Sequence, residues 1–175
     1  RVQARNQAVA PRRVFIVHGQ FADPRHHQAV GNGGTGAACT DQQGAAASRI
    51  QVHNPFGKAT VQTDYQCVQI IINNLLDNAL RYGDAAQPVT LLAQAQTNPE
   101  GMPGVALSVA NKPGLASWPD PDRVFQKYYR SSGAQSISGT GLGLFLVASL
   151  AQMLGGTCRY APDDTHVRFE LWLPT

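Results

Sequence analysis

DYQCVQIIINNLLDNALRYG, residues 64–83, is the stretch from which the fold is read. From Tyr65 to Arg81 its apolar residues fall at Val68, Ile71, Ile72, Leu75, Leu76, Ala79 and Leu80. Spacings of i, i+3 and i+4 held over four turns predict an amphipathic helix with one buried stripe. Asp64 is placed to cap its start and Gly83 to stop it. On the opposite side Asn74, Asp77, Asn78 and Arg81 stand at i, i+3, i+4 and i+7, so they share a face. Carboxamide oxygens are hard, neutral ligands that Mg²⁺ accepts while keeping most of its waters. A cation one turn further on meets the phosphates such a metal bridges. The same spacing also describes an ordinary solvated helix face.

Downstream of this helix, Val89–Ala95 and Val105–Ala110 are strand-like runs separated by the turn-rich NPEGMPG at 98–104. They predict an antiparallel hairpin. A loop over 111–120 leads to Asp120-Pro121, which can start a short helix carrying Phe125 and Tyr128. A polar stretch, SSGAQSISGTG (131–141), precedes an apolar helix over Leu142–Leu154 that Gly155-Gly156 ends. Strands near Thr157–Ala161 and His166–Leu173 close the chain. Upstream, Arg49–His53 alternates apolar and polar side chains as a half-buried strand does. Val14–Val17 is a second short strand, and the Ala-rich residues 37–48 a weak helix.

Composition narrows the class. Of 175 residues only 14% are charged, against roughly 25% in an average soluble protein, while there are 17 glycines and 11 prolines. This excludes a highly charged disordered tail, a coiled coil and a collagen-like repeat. No apolar run approaches the roughly 18 residues that span a bilayer. The net charge of +3 is too small for a nucleic-acid partner, which calls for a clustered basic face. Cys39, Cys67 and Cys158 lack metal or disulfide spacing and are expected to be free thiols filling the core. The first residue is Arg1, with no signal-peptide pattern, and the chain reads as a piece of a longer protein.

Two further segments carry chemistry. Gly139-Thr-Gly-Leu-Gly-Leu144 lies directly before an apolar helix, where glycines let backbone approach a ligand and free N–H groups attract anions. It is neither a P-loop nor a dinucleotide fingerprint, since no Lys-Ser/Thr follows it and no strand of a βαβ unit precedes it. RVFQKYYR (123–130) combines an aromatic anchor with basic residues beside a polar stretch. That suits a lid closing over phosphates.

In this order the segments resemble one family. NNLLDNALRYG (73–83) is similar to the N box of sensor histidine kinases, RVFQKYYR to their F box and SGTGLGLFLV (138–147) to their G2 box. HVRFELWLP (166–174) resembles their last strand. The resemblance spans residues 49–175 and implies a catalytic and ATP-binding domain with the Bergerat fold. That is an α+β, two-layer sandwich whose mixed, mostly antiparallel sheet carries helices on one face. It implies a kinase domain over 34–175 behind an upstream connector over 1–33. It further implies that Asn78 holds Mg²⁺, that Asn74 supports phosphates or metal waters, and that Arg81 faces the phosphates. Tyr82 would line the adenine side, with Gly114 in the adjoining turn. Arg130 and Lys127 would reach the terminal phosphate, Arg130 as the one candidate for a catalytic role. Gly139, Thr140, Gly141, Leu142 and Gly143 would hinge the lid and offer N–H groups to the phosphates.

The family's G1 box has Asp-x-Gly-x-Gly, whose Asp accepts from the adenine amino group. Here the loop is Val109-Ala110-Asn111-Lys112-Pro113-Gly114. Either Asn111 takes the Asp position and accepts through its amide oxygen, or Pro113-Gly114 sets the alignment and Ala110 stands there without a contact. The first reading keeps an active kinase; the second leaves a degenerate module that binds or regulates with little or no nucleotide. The family's acceptor His sits on a separate dimeric helical bundle, and His18, His26 and His27 do not match its pattern. The expected partners are therefore ATP, that dimerisation domain of the same protein and, through it, a response regulator. No nucleic acid and no membrane contact are expected, within a cytoplasmic domain of a membrane-bound sensor. Superfamily ATPases carry a Glu one turn before the metal-binding Asn, where this chain has Asn74. Asp77 points about 100° around the helix from Asn78, so transfer to a protein acceptor is favoured over hydrolysis.

Overall fold

The computed structural model describes residues 13–15, 48–55, 60–115, 118–134, 137 and 139–175. In chain order the elements are β1 (Arg13–Phe15), β2 (Ile50–His53), β3 (Thr60–Gln62), α1 (Tyr65–Tyr82), β4 (Val89–Ala95), β5 (Gly104–Asn111), α2 (Gly143–Met153), β6 (Thr157–Tyr160) and β7 (Val167–Pro174). β1 accounts for part of the expected strand at 14–17, whose end lies outside the described residues. So does the expected Ala-rich helix, apart from Ser48.

Five strands form one sheet in the order β2-β4-β5-β7-β6, while β1 and β3 pair separately. β2 runs parallel to β4, and every other neighbour in the large sheet is antiparallel. A parallel pair needs a long crossover, and the segment through β3 and α1 supplies it. The expected hairpin forms with Val89 opposite Asn111 and Ala95 opposite Val105. β5 is thus held on both sides, by β4 and β7. This is the mixed, mostly antiparallel sandwich that the sequence resemblance implies.

The core follows from two periods meeting. α1 buries Val68, Ile71, Ile72, Leu75, Leu76 and Ala79. Alternate residues of the central strands, among them Leu91, Leu107, Val109, Phe169 and Leu171, join them in one hydrophobic cluster with Val147 and Ala151 of α2. The polar register Ser108, Glu170, Arg159 runs across β5, β7 and β6 at the intervening positions. There Glu170 Oε1 accepts from Arg159 Nε and Nη2 at 2.9 and 2.6 Å. Asp64 caps α1 as expected, accepting from the N–H groups of Gln66 and Cys67. Cys158 packs against the core. Burial, and then the Glu170 carboxylate, push its thiol up to about 12, so it stays protonated. Cys39 lies outside the described residues.

One expected element is replaced. Residues 121–128 form turns and a bend, with no helix. Asp120 does start the first of them, its carbonyl accepting from Val124 N at 3.0 Å and its Oδ1 from Asp122 N at 3.0 Å. The run stops because Tyr128 adopts φ 64° and gives its N–H to the Gly141 carbonyl at 2.9 Å. A helix cannot propagate through a left-handed residue.

The β6–β7 turn is fastened by Asp163. Its Oδ1 accepts from the N–H groups of Thr165 and His166, both at 2.9 Å, and Oδ2 from Arg168 Nη2 at 2.7 Å. The hydrogen bonds from Thr165, its N–H foremost, and from His166 hold the carboxyl down at about 2, below its ordinary 3.8. A depressed carboxyl stabilises the fold above its unfolded value and loses that contribution as pH falls through the folded one. Asp163→Asn is therefore expected to lower the melting temperature by the same amount from pH 7 to pH 5. The gap should narrow as pH drops from about 4 toward 2. A gap that ignores pH would show the charge to be irrelevant.

Candidate functional site

A cavity of about 220 Å³ opens between α1, the ends of β5 and β7, and the segment from Pro119 to Leu144. α1 contributes Asn74, Asp77, Asn78, Arg81 and Tyr82. The helical face inferred from spacing thus borders the cavity as one wall. Asn74 Nδ2 donates to its own helix, to the Ile70 carbonyl at 2.8 Å. Its Oδ1 is turned toward Gly143, where an added Cβ would lie 2.9 Å from it. Asp77 lines the same wall although it stands one residue before Asn78.

The strand side supplies Asn111, Val167 and Phe169. Asn111 closes β5, is 6% exposed, and its Nδ2 donates to the Lys112 carbonyl at 2.9 Å. Of the two alternatives for the G1 loop, the cavity borders Asn111 and not Ala110. Gly83 stops α1 for a reason other than backbone handedness, since its φ is −77°. A Cβ there would stand 2.4 Å from the Ala79 carbonyl and 2.8 Å from Asn111 Nδ2. The missing side chain is what lets the helix end meet Asn111.

The remaining wall is the segment that the sequence reading expects to act as a lid. Val124, Tyr129, Arg130, Ser131 and Ala134 line it on one side, and Gly139, Thr140, Gly141, Gly143 and Leu144 on the other. Arg130 Nη2 donates to the carbonyls of Ala134 and Ile137, bracing the lid from inside. Its Nε is buried without a hydrogen-bond partner. α2 begins at Gly143 with Leu142 as its cap residue and no side-chain capping bond, so first-turn N–H groups remain for a ligand.

Gly141 clasps the base of this lid. It has φ +70°, and a Cβ there would meet the Tyr128 backbone at 2.7 Å and the Tyr129 carbonyl at 2.9 Å. Tyr128 is the only other than glycine with positive φ among the described residues. Gly141→Ala is therefore expected to break the Tyr128 N–H bond to Gly141 and loosen the lid. The core, to which neither Tyr128 nor Gly141 belongs, should keep its melting temperature within a few degrees, while cleavage of this loop by a protease rises about tenfold or more. Unchanged cleavage would show that the clasp does not hold the lid.

Three expected residues stand outside the cavity lining. Gly114 donates its N–H to the Tyr82 carbonyl at 3.0 Å and so fastens the turn after β5 to the end of α1. Lys127 lies 4.6 Å from the Phe145 ring centroid, a cation–π contact that ties the turns to α2. Leu142 is exposed at the start of α2. Conversely, motif reading left out Val124, Tyr129, Val167 and Phe169, which belong to the apolar part of the lining. Alternation along β7 was the available signal for Val167 and Phe169. Which strand end meets the cavity depends on the sheet order.

The site and sheet together describe an α/β-sandwich domain with one helix, one strand edge and one clasped loop around an open cleft. Residues 63–175 match the family described as histidine kinase-, DNA gyrase B-, and HSP90-like ATPase. The chain is 34% identical over 120 residues to sensor protein IrlS of Burkholderia pseudomallei, covering 67% of this chain and 24% of that one. It is also 34% identical over 113 residues to sensor histidine kinase Hik2 of Synechocystis, covering 59% and 26%. The solved structure of the mycobacterial sensor histidine kinase MprB has the same fold, with a TM-score of 0.61 at 19% identity over 93% of this chain and 97% of that one. The chain belongs to the histidine kinase-, DNA gyrase B- and HSP90-like ATPase family, as an ATP-binding domain of the sensor histidine kinase type. It spans about a quarter of the length of these curated relatives.

Proposed function

We propose that this domain binds Mg²⁺-ATP in the cleft and passes the γ-phosphoryl group to a histidine on a dimerisation domain of the same protein, from which a response regulator would draw it. The observation that carries this reading is the lining of one cavity by Asn74, Asn78, Arg81, Asn111 and the glycines of 139–143. Those residues come from three separate motifs.

The roles follow from chemistry. A cavity of about 220 Å³ is smaller than the roughly 300–1,000 Å³ of pockets that enclose a whole drug-sized ligand. The base would fill it, beside Tyr82 and against the Val167 and Phe169 side, while the phosphates extend along α1 toward the lid. Asn111 would face the base. Among the described residues no three His, Cys, Asp or Glu side chains form a metal cage. The wall of two carboxamides and Asp77 suits an ion that takes one or two protein oxygens and completes its shell from phosphates and water. Asn78 would hold Mg²⁺, with Asn74 on its waters or the phosphates; the ion would neutralise the charge developing on the transferred group. Arg81 would face the phosphates from one turn on. Arg130, whose buried Nε has no partner, would turn toward the terminal phosphate as the lid closes; Lys127 would follow only if it left Phe145. Backbone N–H groups of Gly139, Thr140, Gly141, Leu142 and Gly143 would steady the phosphates.

We assign 34–175 to this kinase domain and 1–33 to a connector, within a cytoplasmic part of a membrane-bound sensor. No described helix is long and apolar enough to cross a membrane. The test joins the chain to a dimeric helical bundle carrying an acceptor histidine and supplies γ-labelled ATP. Acid-labile, base-stable label on that histidine is the expected result. No binding of a non-hydrolysable ATP analogue at millimolar concentration, with Mg²⁺, would overturn the reading in favour of a regulatory module without nucleotide.

A further inference from the structure

Resting on the nucleotide reading of the cleft, we infer that Arg49, which stands outside the cavity lining, is a positioning residue for the bound nucleotide. Arg49 lies directly before β2 and is half-buried. Its Nη2 donates to the Asp84 carbonyl at 2.6 Å and to the Gln87 carbonyl at 3.1 Å. Its Nε donates to the Gln87 carbonyl at 3.2 Å. The guanidinium therefore spans the turn between α1 and β4. A rigid fork of donors reaches two carbonyls at once, whereas the ammonium of a lysine is a point charge on a flexible stem. Bonds from a charged donor are also stronger than those between neutral groups.

The turn so fastened leads on to the cavity. Asp84, held by Arg49 through its carbonyl, gives its N–H to the Lys112 carbonyl at 3.0 Å. That carbonyl also accepts from Asn111 Nδ2 at 2.9 Å. A chain of three hydrogen bonds thus runs from Arg49 through Asp84 and Lys112 to Asn111, a buried residue of the lining. A second connection leaves the same turn, where Gly83 bridges to Pro113 and the Gly114 N–H donates to the Tyr82 carbonyl at 3.0 Å. Arg81, Tyr82, Asn111 and Pro113 all line the cavity. The ends of α1 and β5 are therefore set against each other across this turn. The bonds from Ala86 N–H to Asp84 Oδ1 and from Gln87 N–H to the Asp84 carbonyl close the turn on itself. The Arg49 side chain ties it to β2. Asp84 and Gln87 stand outside the hydrophobic cluster, so loosening the turn moves the cavity wall and leaves the core packed.

The experiment is calorimetric titration of the chain with a non-hydrolysable ATP analogue and Mg²⁺, well below the melting temperature so that every variant is folded. Arg49→Met keeps the aliphatic stem and removes the fork; Arg49→Lys keeps the charge. Trp172→Phe is the control for a mere loss of stability. It removes the bond from Trp172 Nε1 to the Gln96 carbonyl at 2.8 Å, toward the other end of the sheet from Asn111. Arg49→Met is expected to weaken the analogue about tenfold, the weight of one hydrogen bond, and Arg49→Lys about threefold. Trp172→Phe should change it by less than about twofold while still lowering the melting temperature. Amide hydrogen exchange at Asp84 and Gly114 should quicken in Arg49→Met and stay at the wild-type rate in the control. An Arg49→Met affinity within about twofold of wild type, or an equal loss in Trp172→Phe, overturns the inference and leaves the kinase reading standing. Should Arg49→Met fail to fold, Arg49→Lys decides alone, and wild-type affinity with wild-type exchange at Asp84 overturns the inference. Failure of the wild-type chain to bind the analogue at millimolar concentration overturns the kinase reading and this inference with it.

Discussion

Asn78→Ala is expected to remove the Mg²⁺-dependent part of ATP binding, weakening it by roughly 100-fold, while the fold stays intact. Asn78 is half-buried on the cavity side of α1, away from the stripe of Val68, Ile71, Ile72 and Leu75 that fills the core. Alanine is the best helix former, so α1 keeps its geometry or gains slightly. What is lost is one hard oxygen beside the phosphates. A contact to a charged group contributes about 1.5–3 kcal/mol, and 2.7 kcal/mol corresponds to the stated factor. Titration with an ATP analogue, with and without Mg²⁺, checks it. The wild-type chain should show a large metal effect and the variant almost none. An unchanged metal effect would remove Asn78 from the site, and Asn74 would become the next residue to replace.

Leu75→Ala, three residues upstream, is expected to act on stability instead. Leu75 has no exposed surface and lies in the cluster joining α1 to the sheet and α2. Truncating a buried leucine removes its transfer energy and leaves a cavity that the neighbours only partly fill, for about 3–5 kcal/mol. That is a large share of the roughly 5–15 kcal/mol that holds a domain together. The urea midpoint should fall sharply with little change in slope. A loss below about 1 kcal/mol would mean that the helix packs on the sheet through other residues. The two substitutions lie three residues apart on α1, Leu75 in the core and Asn78 at the cavity, so together they separate the helix's two duties.

That division of α1 was legible in the sequence because both signals are periodic. Seven apolar residues at helical spacing define one side, and the polar set Asn74, Asp77, Asn78 and Arg81 follows on the other by geometry. The β4–β5 hairpin was legible for the same reason, through alternation bounded by turn residues. The parallel pairing of β2 with β4 was not, because it joins segments on either side of α1 and leaves no local trace. Nor were the turns at 121–128. Asp120-Pro121 is a good helix start, and what cancels it is the remote Gly141 carbonyl that captures the Tyr128 N–H. For Arg130, sequence suggested a reach toward phosphate, and the structure adds a present occupation with the Ala134 and Ile137 carbonyls. Long side chains near a loop have several reachable acceptors, and composition does not choose among them. Asn111 shows the opposite case. Motif matching left two registers open, and of the two candidates it is Asn111, the last residue of β5, that borders the cavity.

The clasp between Tyr128 and Gly141 has a consequence for how such a loop tolerates change. The two ends of the span meet through a backbone hydrogen bond, so the fastening lies at its base. Lengthening a closed span costs only a slowly growing entropy, about 0.6 kcal/mol for each doubling. A longer span between the fastened ends therefore costs little closure entropy, whereas a single side chain added at Gly141 forces the fastening open. Variation can accumulate in the span while the fastening stays fixed.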